Sequence, residues 1–339
     1  MTPDPGTTAL AASLAAQAPR LEREGVTRAD VQRLADAGLL ALGGPPELGG
    51  VPEAEQRAVA EALAGASPDA WFVWFQHGPV VRMLGRSDNA ALRERCLADL
   101  CAGRALGGVA YSHLRTPRPS VFAERVDGGW SFSGTQPWCT GWPLVDLVLA
   151  GALDRAGDAV VFALVPAGDR PELHSTGELA LAAMGGTRTH GLAFAGLFVP
   201  DEQVVAVRDR AEFAAYDTAL NANVQPSTYG VALAALDLLA ERQPAAAGRL
   251  RERVLASRAA AYALLDEVPG AERVEERLAL RAGALLLTLE CCTALLAARG
   301  GQGMDLADPA QRLLRAAAFQ LVHSQAAHVR EATLAALTR

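Results

Sequence analysis

The side chains best suited to chemistry lie in a few short stretches. In Gly128-Gly-Trp-Ser-Phe-Ser-Gly-Thr-Gln-Pro-Trp-Cys-Thr-Gly141, the indole of Trp138 is followed by the Thr140 hydroxyl and then Gly141. An indole face suits a flat, mostly apolar ring. A hydroxyl and backbone N–H groups suit that ring's polar edge, because a buried polar atom left unpaired costs about 1–3 kcal/mol. Trp138 and Trp130 are equally the aromatics that a sheet core uses. The glycines of Gly300-Gly-Gln-Gly303 let backbone approach a ligand closely, while a helix C-cap and turn would account for one of them. Arg315 precedes His323 by eight residues, Ser324 follows it, and His77 ends the aromatic run Trp71-Phe-Val-Trp-Phe-Gln. A histidine titrating near working pH gives or takes a proton, and a lone histidine on a helix is also an ordinary interior residue.

What is missing narrows the chemistry. The 339 residues carry 38 acidic and 31 basic side chains, a formal charge of −7, and every basic residue is Arg. Without Lys there is no Schiff-base lysine and no phosphate-binding P-loop lysine. The acidic balance and the lack of basic runs argue against nucleic-acid or anionic-membrane binding. The five cysteines, Cys96, Cys101, Cys139, Cys291 and Cys292, show no Cys-x-x-Cys spacing, so neither a disulfide framework nor a zinc site is expected. His328 lies off the helical face of His323, so no metal pair is expected there either. Met1-Thr-Pro-Asp-Pro has no secretory pattern. The apolar run from Ala282 to Ala298 is shorter than the roughly 18 residues of a spanning helix and holds Glu290. It reads as a buried bundle helix, and the expected location is the cytosol.

The elements that must position these residues change character twice. Residues 9–102 read as helices, with Leu10, Leu14 and Leu21 on one face and Val31, Leu34 and Leu39 on another. Thr27 and Asp30 form a capping signal, and Gly43-Gly-Pro-Pro-Glu-Leu-Gly-Gly50 is a loop. Residues 121–126, 130–134, 144–153, 159–165 and 192–199 read as strands, broken by Asp127-Gly-Gly, Arg155-Ala-Gly-Asp and Ala167-Gly-Asp. From about residue 211 the chain is helical again and predicts a four-helix bundle. The fold class expected is mostly α with a central β-barrel or sandwich, divided as 1–105, 106–207 and 208–339.

In this order the motifs resemble the acyl-CoA dehydrogenase superfamily. The hairpin at 128–141 is similar to its Gly-Gly-aromatic…Trp-x-Thr/Ser hairpin. Met184-Gly-Gly-Thr-Arg-Thr-His-Gly is similar to its Met-Gly-x-x-x-Ser turn, which brings in Thr189, and Phe194-Ala-Gly-Leu-Phe-Val-Pro-Asp-Glu202 to its exit strand. Leu34–Gly50, Gly300–Gly303 and Arg312-Leu-Leu-Arg315 resemble its front helix and loop, its Gly-Gly-x-Gly loop and its Arg helix start. The resemblance implies a flavin, FAD or FMN, held by Ser112, Trp138, Thr140, Gly141, Thr189 and Arg315, with Gly300, Gly301 and Gly303 reaching a neighbouring subunit. It also implies a homodimer or homotetramer.

Departures from the pattern bear on the reaction. The family's usual catalytic carboxylate falls at Ser324; its alternative falls at Leu220, with Asp217 the only acid nearby, and the acid expected after Arg315 is Ala316. Flavin-dependent monooxygenases of the same fold lack that Glu and tend to carry histidines where His323 and His77 stand. The resemblance therefore implies a monooxygenase acting on a small organic substrate, with His323, His77 and Ser324 as catalytic candidates and Thr140 as a further donor. Reduced flavin would come from a separate reductase, since no nicotinamide-binding Gly-x-Gly-x-x-Gly follows a strand. Two other readings stay open: an acyl-CoA dehydrogenase with a displaced base, Asp217, and a flavin-free scaffold, suggested by the missing Arg-x-x-Phe-Gly.

Overall fold

A computed structural model describes residues 4–155 and 158–338; residues 1–3, 156–157 and 339, including the middle of the Arg155-Ala-Gly-Asp turn, lie outside the described residues. The first helices are α1 (Pro5–Glu24), α2 (Arg28–Asp36), α3 (Glu53–Ala66), α4 (Pro68–Gly85) and α5 (Ala90–Cys101). Leu14 and Leu21 of α1 are fully buried. Thr27 and Asp30 make a reciprocal capping box at the start of α2, each side chain accepting from the other's backbone N–H.

The middle of the chain forms β1 (Gly107–Ala110), β2 (Val121–Val126), β3 (Gly129–Cys139), β4 (Leu147–Asp154), β5 (Ala159–Pro166), β6 (Leu173–Glu178), β7 (His190–Pro200) and β8 (Val204–Asp209). They bond into one mixed sheet in the order β6-β7-β3-β2-β4-β5-β8, with β1 also paired to β4. The β2–β4 junction is only two residue pairs long, Phe122 with Leu153 and Ala123 with Asp154. Val148, Ala150, Ala152, Val161 and Ala163 on β4 and β5 are buried in the main core.

The last segment is α6 (Arg210–Asn221), α7 (Pro226–Ala240), α8 (Pro244–Glu267), α9 (Val274–Arg299), α10 (Pro309–Gln320) and α11 (Ala327–Leu337). Helices α7 to α10 pack as the bundle, α11 lies on α9, and α6 packs on β5 and β8. By length and composition α9 passes for a membrane span. Here α7, α8, α10 and α11 surround it, which accounts for its apolar run. One expectation fails. His323 and Ser324 do not continue a helix: α10 stops at Gln320 and Ser324 takes φ +50°, a left-handed conformation costly for a residue with a Cβ.

The first helices meet the bundle where α3 crosses α7. A Cβ on Gly230 would come within 2.2 Å of the Glu61 carbonyl oxygen, and one on Gly65 within 2.7 Å of the Gly230 carbonyl oxygen. The two backbones touch because neither residue has a side chain. Gly230→Ala must push the helices apart, and the expected loss is about 1–3 kcal/mol. Urea unfolding would read this as a lower midpoint at unchanged slope; an unmoved midpoint would mean that the contact carries no stability.

Candidate active site

The candidate site begins at an irregularity in β3. Its pairing with β7 breaks register between Gln136 and Cys139, so Pro137 and Trp138 leave the ladder. Proline cannot donate to the ladder, and the bulge re-aims the residue after it. As a result Trp138 is 49% exposed although Gln136 and Cys139 on either side of the bulge are buried, and it lines a cavity of about 710 Å3. That volume lies within the roughly 300–1,000 Å3 of small-molecule and cofactor sites. Gln136, buried beneath the bulge, fixes it: Nε2 donates to the Trp138 carbonyl and to Ser112 Oγ, both at 2.8 Å.

Beside the indole runs a chain of hydroxyls. Thr187 Oγ1 donates to the Met184 carbonyl (2.7 Å) and lies 2.8 Å from Thr189 Oγ1, which lies 3.2 Å from Thr140 Oγ1. Each hydroxyl has one proton. Thr187 spends its own on Met184, so Thr189 donates to Thr187 and Thr140 donates to Thr189. Thr140 therefore offers the cavity lone pairs only: an acceptor, where a donor was expected. The turn carrying this chain is strained, with Met184 and Arg188 at φ +60° and +52°. It is clamped between helices. Gly186 N–H donates to Asp69 on α4 (2.8 Å), Val26 N–H donates to the Gly186 carbonyl (2.8 Å), and a Cβ on Gly186 would stand 2.0 Å from the Leu21 carbonyl. Burial, reinforced by Glu22, pushes the Asp69 carboxyl up to about 6.

His323 lines the same cavity. Its ring stands 5.1–5.5 Å, centroid to centroid, from Trp71, Phe72, Phe75 and Phe319. Nδ1 is buried without a partner, and Nε2 has only Ser324 Oγ at 3.4 Å. The loop is held by Arg281, whose Nη2 donates to the His323 carbonyl at 2.8 Å. Burial, with Arg281 and Arg115 adding repulsion, pushes the His323 pKa down to about 3. At neutral pH the ring is uncharged, so it works as a neutral hydrogen-bonding group and not as the near-neutral acid expected from its residue type.

Of the other expected residues, Ser112 and Thr189 line the same cavity as Trp138, Thr140, His323 and Ser324. His77 does not. It is buried in α4, accepts from Gly107 N–H at Nδ1 (2.9 Å) and has its pKa pushed down to about 4 by burial, so it pins β1 to α4. Gly141 closes a turn through N–H bonds to the Thr187 and Arg188 carbonyls. Arg315 pairs with Glu22 and ties α10 to α1. Gly300 and Gly301 are exposed at the end of α9, and Gly303 packs on Leu296, all away from this cavity. Cys139 is fully buried, its thiol pushed up to about 12, and is inert packing.

Sequence reasoning named Asp217 as a possible base without its partner, and missed His113 and Arg82 on the wall. Asp217 is held by Arg115, its carboxylate oxygens accepting from Nε and Nη2 at 2.9–3.0 Å. His113 donates from Nε2 to the Gly151 carbonyl (2.8 Å) and is kept neutral by burial. Arg82 lies on the row of α4 made by Phe72, Phe75 and Pro79, which Arg86 continues just past the helix end. That three- and four-residue spacing was visible in the sequence, but a helical face does not say what it faces.

The acyl-CoA dehydrogenase N-terminal domain profile matches residues 7–104. Mitochondrial isovaleryl-CoA dehydrogenase of Arabidopsis thaliana is 29% identical over 131 residues, 37% of this chain and 32% of that protein. The match thus spans about a third of the length of such curated relatives. Butyryl-CoA dehydrogenase from Megasphaera elsdenii superposes with a TM-score of 0.77 at 16% identity, covering 98% of this chain and 97% of that one. Dibenzothiophene monooxygenase from Paenibacillus gives 0.78 at 18% identity, covering 97% and 94%.

Two buried imidazoles set an acid limit. A histidine with its folded pKa below the unfolded 6.5 takes up a proton on unfolding, so its contribution is complete above pH 6.5 and lost as pH falls. Between pH 6.5 and about 4, His77 and His323 should each remove about 1.4 kcal/mol per pH unit. His323→Asn should lower the slope of unfolding free energy against pH by one proton; an unchanged slope would mean that the ring titrates alike in both states. Residues 7–104 thus match the acyl-CoA dehydrogenase N-terminal domain, and the chain as a whole has the fold of the acyl-CoA dehydrogenase and monooxygenase structures it superposes on.

Proposed function

We propose that the chain is a flavin-dependent oxidoreductase and, within that class, a monooxygenase using reduced flavin on a small organic substrate. The observation that carries the reading is the lack of a free carboxylate on the cavity wall: Asp217 is the one acid among the described lining residues, and Arg115 holds both its oxygens. Abstraction of an α-proton from an acyl thioester needs an available base. An oxygenase needs instead a dry chamber and neutral hydrogen-bonding groups. The aromatic box around His323 and its unpartnered Nδ1 meet that need.

The cavity's unsatisfied atoms suit a flavin. Trp138 would cover the apolar ring, Thr140 Oγ1 would accept from a ring N–H, and Ser112 and Thr189 would line the edge. Bound flavin would supply the two-electron redox chemistry and the reaction with oxygen. His323 would hold a proton on one ring nitrogen and accept at the other, while Phe72, Phe75 and Phe319 exclude water. Separate supply of reduced flavin, a cytosolic location and a homodimeric or homotetrameric assembly belong to the same proposal. Among the curated and solved relatives, dehydrogenases and a monooxygenase share this fold.

Purified protein reconstituted with FAD or FMN should show flavin absorbance, and Trp138→Ala should weaken flavin binding roughly tenfold. Acyl-CoA thioesters added anaerobically should leave that absorbance unchanged, while a flavin reductase, oxygen and an acceptor should give oxygenated product. Anaerobic bleaching by an acyl-CoA would instead establish a dehydrogenase. A protein that takes up neither flavin would establish the scaffold reading.

A further inference from the structure

The cavity-facing row of α4 begins in the aromatic box, at Phe72 and Phe75, and reaches Arg82 two turns on. Arg82 lines the large cavity and also a second, small one of about 30 Å3 beside His77. Its guanidinium occupies a slot made by two glycines. A Cβ on Gly43 would stand 2.9 Å from Arg82 Cγ and 3.2 Å from Nη1, and one on Gly78 would stand 3.1 Å from Nη1. The chain thus leaves room for this group on both sides.

No acid pairs with it directly. Arg82 makes no hydrogen bond or ion pair among the described residues; burial lowers its pKa, Tyr111 and Tyr216 oppose that shift, Arg86 adds to it, and Glu53 acts on it only at a distance. Among the other enclosed arginines, Arg115 has Asp217, Arg277 the carbonyls of Leu264, Val268, Pro269 and Glu272, and Arg281 those of Asn223 and His323. Arg312 also lacks a side-chain partner, but it lies off the cavity wall with Glu22 and Asp69 acting on it. A partly desolvated cation without a counter-charge is costly unless a ligand supplies one. The wider wall has the same sign. Arg82, Arg86, Arg115 and Arg208 face Asp217 alone, inside a chain of formal charge −7.

We propose that Arg82 is a specificity-determining residue that receives the anionic end, carboxylate or phosphate, of an amphipathic substrate. The apolar part of that substrate lies along Phe72, Phe75 and Phe319. The proposal rests on reading this cavity as the substrate chamber and does not require the flavin. A planar guanidinium takes a carboxylate or phosphate through paired N–H donors.

Isothermal titration of the full chain, with and without added FAD, tests it with octanoate, octyl phosphate and octanamide. The expected result is that one or both anions bind at least roughly tenfold tighter than octanamide. Arg82→Gln should remove that preference and leave octanamide unchanged, and Arg82→Lys should keep part of it. Preference for octanoate identifies a carboxylate substrate, and preference for octyl phosphate a phosphate. Equal binding of octanamide and the anions, no binding of either anion, or a preference that survives Arg82→Gln overturns the proposal. If Arg82→Gln fails to fold, Arg82→Lys decides: an undiminished preference for both anions overturns it. Failure of the flavin reading shows separately, as absent flavin absorbance, because the titration is also run without flavin.

Discussion

The contact on which the site most depends is the seat of the Gly186 turn. A carbonyl of α1 stands where a Cβ would be, a carboxylate of α4 takes the turn's N–H, and Val26 bonds its carbonyl. The sheet is thereby fixed to the first helices at the point where Thr187 and Thr189 begin the hydroxyl chain. The strain of two left-handed residues at Met184 and Arg188 is sustained because every side of the turn is held. From there the order of protons follows from counting donors, and it ends in an acceptor facing the cavity.

Desolvation sets the remaining electrostatics. The aromatic box strips water from His323 and, helped by two arginines, keeps it neutral. Burial likewise keeps His113 and His77 uncharged, so each acts through fixed hydrogen bonds. Arginine cannot shed its charge in the same way. The fold instead surrounds Arg277 and Arg281 with backbone carbonyls and gives Arg115 a bidentate carboxylate. Lysine, absent from this sequence, could not make those forked contacts.

The architecture was largely legible. Residues 121–126 alternate as a strand and form β2, 159–165 lie within β5, and the Thr27–Asp30 signal is a real capping box. These are local preferences that the tertiary structure had no reason to override. β1, β6 and β8 were not legible. β6 carries Gly177 and charged or polar residues, and each of the three is defined by its pairing to a neighbouring strand more than by its own pattern. The end of α10 was also hidden, since Leu321-Val-His-Ser has no Gly or Pro and only its packing against Arg281 and the aromatic box selects a break.

By itself the sequence determined the order of helices and strands, the aromatic face of α4, the hairpin bearing Trp138 and Thr140, and the lack of a carboxylate at the family's usual position. These depend on residue type and on spacing within a single element. Only the tertiary structure decided that His323 is neutral while His77 is a structural pin, that Arg115 closes off Asp217, and that Arg82 reaches the cavity wall without an ion-pair partner among the described residues. Protonation and pairing depend on which groups from distant parts of the chain exclude water together, and spacing along one element carries no information about that.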